Sequence, residues 1–160
     1  RLFQLLRIEK GYTYGATSGL VDTAEIGPWL ARTSVRANVT LESLELLRDQ
    51  IRDYAATFTE EDVEVTKNQI IKSNTRAFES LGAKLGLLRR MSRFGLPVDF
   101  LERDQGTLLA MTLADFREVI ETHLHESDMI YVVVGDAATQ LDRMAELGYG
   151  QPISRDITGR

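Results

Sequence analysis

The sequence predicts an α+β fold, a two-layer sandwich in which helices cover a small antiparallel or mixed sheet. Three observations support this class: two early stretches alternate with the period of a strand, the middle of the chain carries apolar residues at helical spacing, and one short apolar run suits a buried strand. With 160 residues, 43% of them hydrophobic, the chain has the size of one globular domain. We expect that domain over residues 1–150, followed by a polar tail at 151–160.

The first forty residues predict a helix followed by a hairpin. Apolar residues in Leu2–Ile8 indicate a short helix, which Gly11 ends because glycine readily adopts the left-handed conformation past a helix. Residues Tyr12–Val21 then alternate strictly between two strand faces. A second alternating run over Trp29–Val39 predicts the hairpin partner, with one face in water.

The middle of the chain predicts two helices. Thr40 caps an amphipathic helix whose apolar stripe continues to Phe58. Another helix is expected over 59–94, opened by a capping box that uses Asp in place of Glu or Gln and bent by Gly82 or Gly86.

The last third predicts further helices and one strand. A short helix is expected at 100–101, and Thr112 with Asp115 opens an amphipathic helix. The continuous apolar run Met129–Val134 predicts a third strand, buried on both faces. A helix follows from Asp136 to about residue 147.

Composition excludes several classes of protein. No apolar run is long enough to span a bilayer, and the net charge of -5 argues against a general polyanion binder. Without cysteine the chain cannot form a disulfide, a thiolate zinc site or a cysteine nucleophile. The first forty residues differ from the rest, since they hold five Lys and Arg against three Asp and Glu.

Two clusters attract a functional interpretation that their spacing does not support. His123 and His125 lie two apart, so on a helix they point about 200° away from each other and cannot chelate one ion. We expect a surface or helix-end position for both. Arg89, Arg90 and Arg93 lack interleaved aromatic residues, which predicts a solvated helix face and no nucleic-acid site.

The most informative stretch places Arg7 near a helix end and Tyr14 on the next strand, with Gly11 turning the chain between them. A guanidinium and a phenol hydroxyl together can hold the carbonyl oxygens of an extended peptide and stabilise an oxyanion. Spacing alone leaves a second interpretation open, a packed tyrosine beside a surface arginine.

Four segments of the chain share a recognisable pattern: LLRIEKGYTYGATSG at 5–19, RFGLPVDF at 93–100, MTLADFREVIETHL at 111–124 and MIYVVVGDA at 129–137. Together they resemble the zinc-free second domain of the pitrilysin/insulinase family of zinc peptidases, as it occurs in bacterial members. The first is the most specific, because that domain carries an arginine and a tyrosine in an LR-x-x-x-G-x-x-Y context, which Arg7 and Tyr14 match.

The resemblance implies the half-domain fold of LuxS and mitochondrial processing peptidase, with two homologous domains facing each other across a chamber. One domain supplies an inverted HxxEH zinc site, and the other supplies the arginine and tyrosine. Arg7 would then bind the substrate backbone, and Tyr14 would bind substrate and donate to its carbonyl or the tetrahedral intermediate in trans. The implied partners are an active HxxEH domain, on the same chain or a separate subunit, and an extended peptide, with no nucleic acid and no membrane. No cofactor is expected in this chain, and Zn²⁺ is expected in the partner domain.

Departures from the family pattern limit the activity of the chain. It has no HxxEH, so we expect it to be inactive alone. The strand and helix that normally precede the Arg/Tyr motif are absent, which suggests the C-terminal part of that domain. The alternative is a structural or assembly subunit of the same fold, in which Arg7 and Tyr14 are packing residues. The resemblance favours the bacterial periplasm and leaves the cytoplasm open.

Overall fold

The computed structural model describes residues 1–21, 23, 25–76 and 78–156. Within them a small antiparallel sheet accompanies many helices, which confirms the predicted α+β class. In chain order the strands and α-helices are β1 (Thr13–Leu20), β2 (Trp29–Val35), α1 (Thr40–Arg52), α2 (Glu60–Arg76), α3 (Leu81–Phe94), α4 (Phe100–Ala110), α5 (Leu113–His123) and α6 (Ala137–Gln140).

The chain divides into two compact units. The first contains the sheet, α1 and α6, and the second contains α2 to α5. The first is built from Arg1–Val21, Pro28–Asp53 and Leu124–Arg160, and the second from Asp22–Gly27 and Tyr54–His123. The expectation of a single domain over 1–150 stays a prediction.

The predicted first helix forms as a π-helical segment at Gln4–Glu9. Its Leu6 side chain is fully buried and anchors the segment. Gly11 takes the left-handed conformation with φ of 62°, and the Tyr12 amide donates to Leu6 O at 2.8 Å. The predicted turn after this helix is therefore confirmed.

The predicted hairpin also forms, because β1 and β2 pair antiparallel. The pairing begins with Thr13 opposite Val35. The expectation that the second strand continues to residue 39 is wrong, since Ala37–Val39 form a 3₁₀ turn. Among the described residues, the recorded pairing of β2 ends at Val35, opposite Thr13.

α1 ends earlier than the sequence predicts. Its apolar stripe runs to Phe58, but the helix ends at Arg52 and Asp53 leaves the helical region with φ of -93° and ψ of 6°. The Asp53 carboxylate accepts from Arg52 Nε at 3.1 Å. Tyr54 and Phe58 pack edge to face in the second unit, with 5.6 Å between ring centroids. The spacing of these two residues therefore reflects contact between their rings and not an unbroken helix.

The predicted capping box at Thr59 and Asp62 forms, and Thr112 and Asp115 make the same bonds at the predicted start of their helix. The Asp62 carboxylate accepts from the Thr59 amide at 2.9 Å and from its hydroxyl at 2.8 Å. The Asp115 carboxylate accepts from the same two groups of Thr112 at 2.7 and 2.8 Å. These bonds fix the first turns of α2 and α5.

Phe58 lies at the centre of the second unit. Its side chain is buried and stacks on Phe116 with 5.6 Å between ring centroids. Its carbonyl accepts from Arg117 Nε at 3.2 Å and from a terminal nitrogen of the same guanidinium at 2.8 Å. Elsewhere in the unit Lys67 Nζ donates to Met111 O at 2.7 Å, which ties α2 to the end of α4. Polar contacts to backbone carbonyls therefore support this small core.

The single long helix expected over 59–94 is wrong, because the chain leaves the helix between α2 and α3. Ser80 is extended, with φ of -129° and ψ of 157°, and its hydroxyl accepts from the Ala83 amide at 3.1 Å. Serine is a strong N-cap residue, so it starts a new helix here. The predicted bend sites Gly82 and Gly86 both lie inside α3.

α3 ends at Gly95 as predicted, with φ of 63°. The following helix is longer than expected: α4 has 11 residues, whereas the sequence analysis placed a short helix only at 100–101. Arg103 Nε donates to the Asp99 carboxylate at 2.7 Å, an i,i+4 pair across the first turn. The Phe100 side chain is buried against the rest of the unit.

The third strand predicted at Met129–Val134 is wrong, since this segment belongs to no strand. Burial on both faces is also wrong, because Ile130, Val132 and Val134 are largely exposed. An apolar run becomes a buried strand only where a neighbouring strand pairs with it and covers it. None of the described residues supplies that neighbour.

The C-terminal helix is confirmed. The Asp136 side chain accepts from the Ala138 amide at 3.1 Å and caps α6, which continues as a 3₁₀ helix over Asp142–Leu147. Gly148 ends it with φ of 96°. Residues 151–156 carry no regular element, and the rest of the predicted tail, 157–160, lies outside the described residues. No helix within the described ranges is long and apolar enough to cross a membrane.

Candidate functional site

Arg7 is presented by the π-helical segment at Gln4–Glu9. The Lys10 amide bonds to Leu5 O at 3.0 Å, five residues back, which is the bond pattern of a widened turn. Arg7 is exposed on this segment, and its guanidinium carbon lies 5.2 Å from the centroid of the Phe3 ring. The cation–π contact with Phe3 restricts where the guanidinium can point.

The structure brings the two predicted site residues together. A terminal nitrogen of Arg7 donates to the backbone carbonyl of Tyr14 at 2.6 Å. The contact uses the tyrosine's carbonyl and leaves its hydroxyl unused. Within the described part of the chain the Tyr14 hydroxyl has no hydrogen-bond partner, and the residue is 92% exposed. Both groups therefore face solvent from one point on the surface.

A β-bulge turns Tyr14 outward. Between the pairs Thr13 with Val35 and Ala16 with Thr33, β1 has one residue more than β2. Thr13 and Ala16 are half-buried while Tyr14 and its neighbour are exposed. The strict alternation expected along this strand is therefore wrong here, because an extra residue in one strand shifts the side-chain pattern.

A hydroxyl network holds the bulge, and sequence reasoning missed it. The Thr13 hydroxyl donates to Ser34 O at 2.7 Å and accepts from the Gly15 amide at 3.0 Å. The Thr33 hydroxyl lies 3.0 Å from both Thr13 Oγ1 and Gly15 O. The available signals were a glycine directly after the exposed tyrosine and a threonine on each strand. Thr13 and Thr33 position Tyr14.

This arrangement is suited to binding carbonyl oxygens. The guanidinium of Arg7 has a planar fork of N–H donors that fits planar oxygen acceptors. The Tyr14 hydroxyl can donate one further hydrogen bond. The pair holds donors but no general base or nucleophile, so it can bind and polarise a carbonyl but cannot by itself hydrolyse a peptide.

The histidines occupy the predicted kinds of position. His123 is the last residue of α5. His125 is about half exposed, and its Nδ1 lies 3.3 Å from the Asp128 carboxylate. Among the described residues no group of three potential ligands could hold a metal ion. The expectation that this chain needs no cofactor stays a prediction.

The arginine cluster of α3 lies on an exposed helix face, as predicted. Arg89, Arg90 and Arg93 are all exposed. Two of them also contact aromatic rings: the Arg90 guanidinium lies 5.7 Å from the Phe100 ring centroid, and that of Arg93 lies 5.2 Å from the Phe94 centroid. These contacts show that Arg90 and Arg93 pack their guanidinium groups against aromatic rings at the helix surface.

Comparison with known proteins agrees with the resemblance drawn from the sequence. Residues 1–70 match the family model described as the peptidase M16 inactive domain. The first 70 residues are thus similar to the inactive domain of this peptidase class, and the predicted resemblance to the pitrilysin family's second domain is confirmed.

A solved structure of the same class shares the fold. It is described as the crystal structure of a peptidase M16 inactive domain from Pseudomonas fluorescens, and it is similar with a TM-score of 0.70 and 25% sequence identity. The match covers 78% of this chain but 30% of that one, so the chain spans less than a third of that relative's length. Comparison with curated proteins gave no match.

Proposed function

We propose that this chain acts as part of the noncatalytic, peptide-binding domain of a zinc metalloendopeptidase. Arg7 and Tyr14 would complete the active site of a partner HxxEH domain. The observation that carries the proposal is their juxtaposition: the guanidinium lies 2.6 Å from the Tyr14 carbonyl, and the phenol beside it is exposed. The M16 inactive-domain match supports pairing with an active domain.

In this role Arg7 binds the substrate, and Tyr14 stabilises the transition state. Arg7 binds the backbone of an extended peptide beyond the scissile bond, through donors that its bond to Tyr14 does not use. Tyr14 donates to the oxygen that becomes negative in the transition state. The partner domain supplies the zinc, the water and the glutamate base. Losing one comparable oxyanion donor costs about 2.7–4 kcal/mol of transition-state stabilisation, which is about 100- to 1000-fold in rate.

The test combines the chain with an active HxxEH domain and measures peptide cleavage. We expect Tyr14→Phe to lower kcat by about 100- to 1000-fold, because the substitution removes the donating hydroxyl and nothing else. We expect Arg7→Ala to raise KM, because it removes binding of the peptide backbone. Tyr149→Phe and Arg32→Ala provide matched controls, since both residues are also exposed in the first unit. Unchanged kinetics in both site variants would refute the assignment.

The purified chain gives a second check. It has no HxxEH, so we expect no stoichiometric zinc and no peptidase activity. Zinc content by atomic absorption and cleavage of a fluorogenic peptide measure these two properties. Tight zinc binding by the chain alone would contradict the proposal.

One observation favours a structural subunit as the second candidate. The Arg7 guanidinium already bonds within its own chain, to Tyr14 O, so its role could be to fix the start of β1. In that case Arg7→Ala would lower stability or partner association and leave the kinetics of a restored peptidase unchanged. Measuring unfolding and cleavage on the same variant separates the two functions.

A further inference from the structure

Two consecutive carbonyl groups in the β-bulge are each held by side chains. The Tyr14 carbonyl accepts from the Arg7 guanidinium at 2.6 Å. The next carbonyl, that of Gly15, lies 3.0 Å from the Thr33 hydroxyl and 2.9 Å from the Thr13 hydroxyl. The register gives neither Tyr14 nor Gly15 a partner in β2. Side-chain donors therefore fix the direction of these two peptide groups.

The number of hydroxyl protons makes Thr33 the donor to Gly15. A threonine hydroxyl has one proton. The shortest contact of the Thr13 hydroxyl is with Ser34 O, at 2.7 Å, and its oxygen accepts from the Gly15 amide at 3.0 Å. With the Thr13 proton on Ser34 O, the Thr33 hydroxyl donates to Gly15 O. Thr13 thus holds the amide of Gly15, and Thr33 holds its carbonyl.

The direction of the Tyr14 side chain depends on this backbone. Tyr14 is 92% exposed, and its hydroxyl bonds to no residue in the described part of the chain. Such a side chain takes its direction from the backbone, because the backbone dihedrals decide which rotamers are allowed. Arg7 holds the Tyr14 carbonyl, and Thr33 holds the carbonyl of the residue that follows.

We infer that Thr33 is a positioning residue for the oxyanion donor Tyr14. Its bond to Gly15 O holds the bulge in the form that aims the Tyr14 hydroxyl, so Thr33 acts on the reaction through Tyr14 and touches no substrate. The inference rests on the proposed role of Tyr14 in a restored peptidase. A misplacement of about 1 Å can cost about 100-fold in rate, so a hydroxyl on the neighbouring strand is expected to affect kcat.

The test measures cleavage of a fluorogenic peptide by the chain combined with an active HxxEH domain. Thr33→Val keeps the shape of the side chain and removes the hydroxyl, and we expect it to lower kcat by about 10- to 100-fold. KM should stay within about threefold of the parent, because Arg7 is also held by its contact with Phe3. Thr33→Ser keeps the hydroxyl and should leave kcat within about threefold of the parent.

Thr17→Val is the matched control. Thr17 is exposed on the same hairpin, and its hydroxyl bonds to none of the described residues. We expect this variant to cleave the peptide as the parent does.

A double-mutant cycle separates positioning from a merely structural role. In the Tyr14→Phe background, Thr33→Val should lower kcat by less than about threefold, because no hydroxyl is left to misplace. A general loss of stability would lower activity equally in both backgrounds. In the chain alone, the Gly15 amide should exchange its hydrogen at least about tenfold faster in Thr33→Val than in the parent, measured by NMR.

Circular dichroism checks that each variant is folded. If Thr33→Val does not fold, Thr13→Val is measured in the same two backgrounds with the same expectations, since it removes the acceptor of the Gly15 amide. Parent-like kcat in Thr33→Val, equal losses in both backgrounds, or no recovery in Thr33→Ser would overturn the inference and leave Tyr14 as the donor. Unchanged kcat in Tyr14→Phe would overturn both proposals.

Discussion

Leu6→Ala tests whether one buried leucine supports the segment that presents Arg7. Leu6 is 0% exposed, so truncation removes a fully buried side chain and leaves a cavity beneath the π-helical segment. Such substitutions cost about 2–5 kcal/mol in the free energy of unfolding. With a urea slope of about 2 kcal/mol per molar, the unfolding midpoint should fall by about 1–2.5 M.

The assay is urea unfolding followed by tryptophan fluorescence. Trp29 is the single tryptophan of the chain and lies at the start of β2, in the same unit as Leu6. Its emission therefore reports the loss of that unit. Ile8→Ala is the matched control, because Ile8 lies on the same segment but is 58% exposed, and we expect it to cost less than about 1 kcal/mol.

Equal losses in the two variants would refute the reasoning, since burial would then not decide the effect. A small loss in Leu6→Ala alone would show that the segment collapses around the cavity at little cost. If the reasoning holds, the variant should also impair peptide use by a restored peptidase, because Arg7 directly follows Leu6.

Two further predictions concern the second unit. Replacing Arg117 with Met removes two donors to the Phe58 carbonyl and should cost about 1–3 kcal/mol by thermal unfolding, whereas Arg103→Met, at an exposed ion pair, should cost less than about 1 kcal/mol. Similar losses would contradict a supporting role for Arg117. The amide and hydroxyl of Thr112 hold the pKa of Asp115 below its ordinary 3.8. The stabilisation this pair supplies is complete well above pH 3.8 and is lost as pH falls through the lowered pKa. Asp115→Asn should therefore reduce the loss of stability below pH 3.8, measured by urea unfolding at several pH values, and an unchanged pH dependence would count against the cap.

Signals that depend on a few neighbouring residues were predictable. The capping box at Thr59 and Asp62 formed with the bonds that its spacing implies. Gly11 ended the first helical segment with a positive φ, as predicted. Each of these features is decided within one turn of chain, so the sequence contains all the chemistry that determines it.

Continuity over longer stretches was less predictable. The apolar stripe over 59–94 fits one helix or two, because helical spacing survives a short interruption. The break depends on Ser80, whose hydroxyl bonds to the Ala83 amide instead of continuing a backbone ladder. A serine in a helical pattern ends the helix only where its side-chain hydrogen bond is favoured over the backbone hydrogen bonds of a continuous helix.

The candidate site contains one feature that nearby residues determine and one that depends on a distant residue. The approach of Arg7 to Tyr14 followed from a helix end, a glycine turn and a strand, all within eight residues. The outward direction of Tyr14 did not, because the bulge is held in part by the Thr33 hydroxyl, nearly twenty residues further along the chain. A contact with that separation leaves no trace in the local pattern, so the spacing predicted proximity but could not predict orientation.

The segment Met129–Val134 shows how composition and tertiary context act separately. Its β-branched residues favour an extended backbone, and the segment forms no helix. Burial is a different property, because it requires a second strand to pair with the free N–H and C=O groups and another layer to cover Ile130, Val132 and Val134. The sequence pattern is that of a paired strand, while the described residues provide no pair. The disagreement is thus between an intrinsic preference and a neighbouring strand that the described residues do not supply.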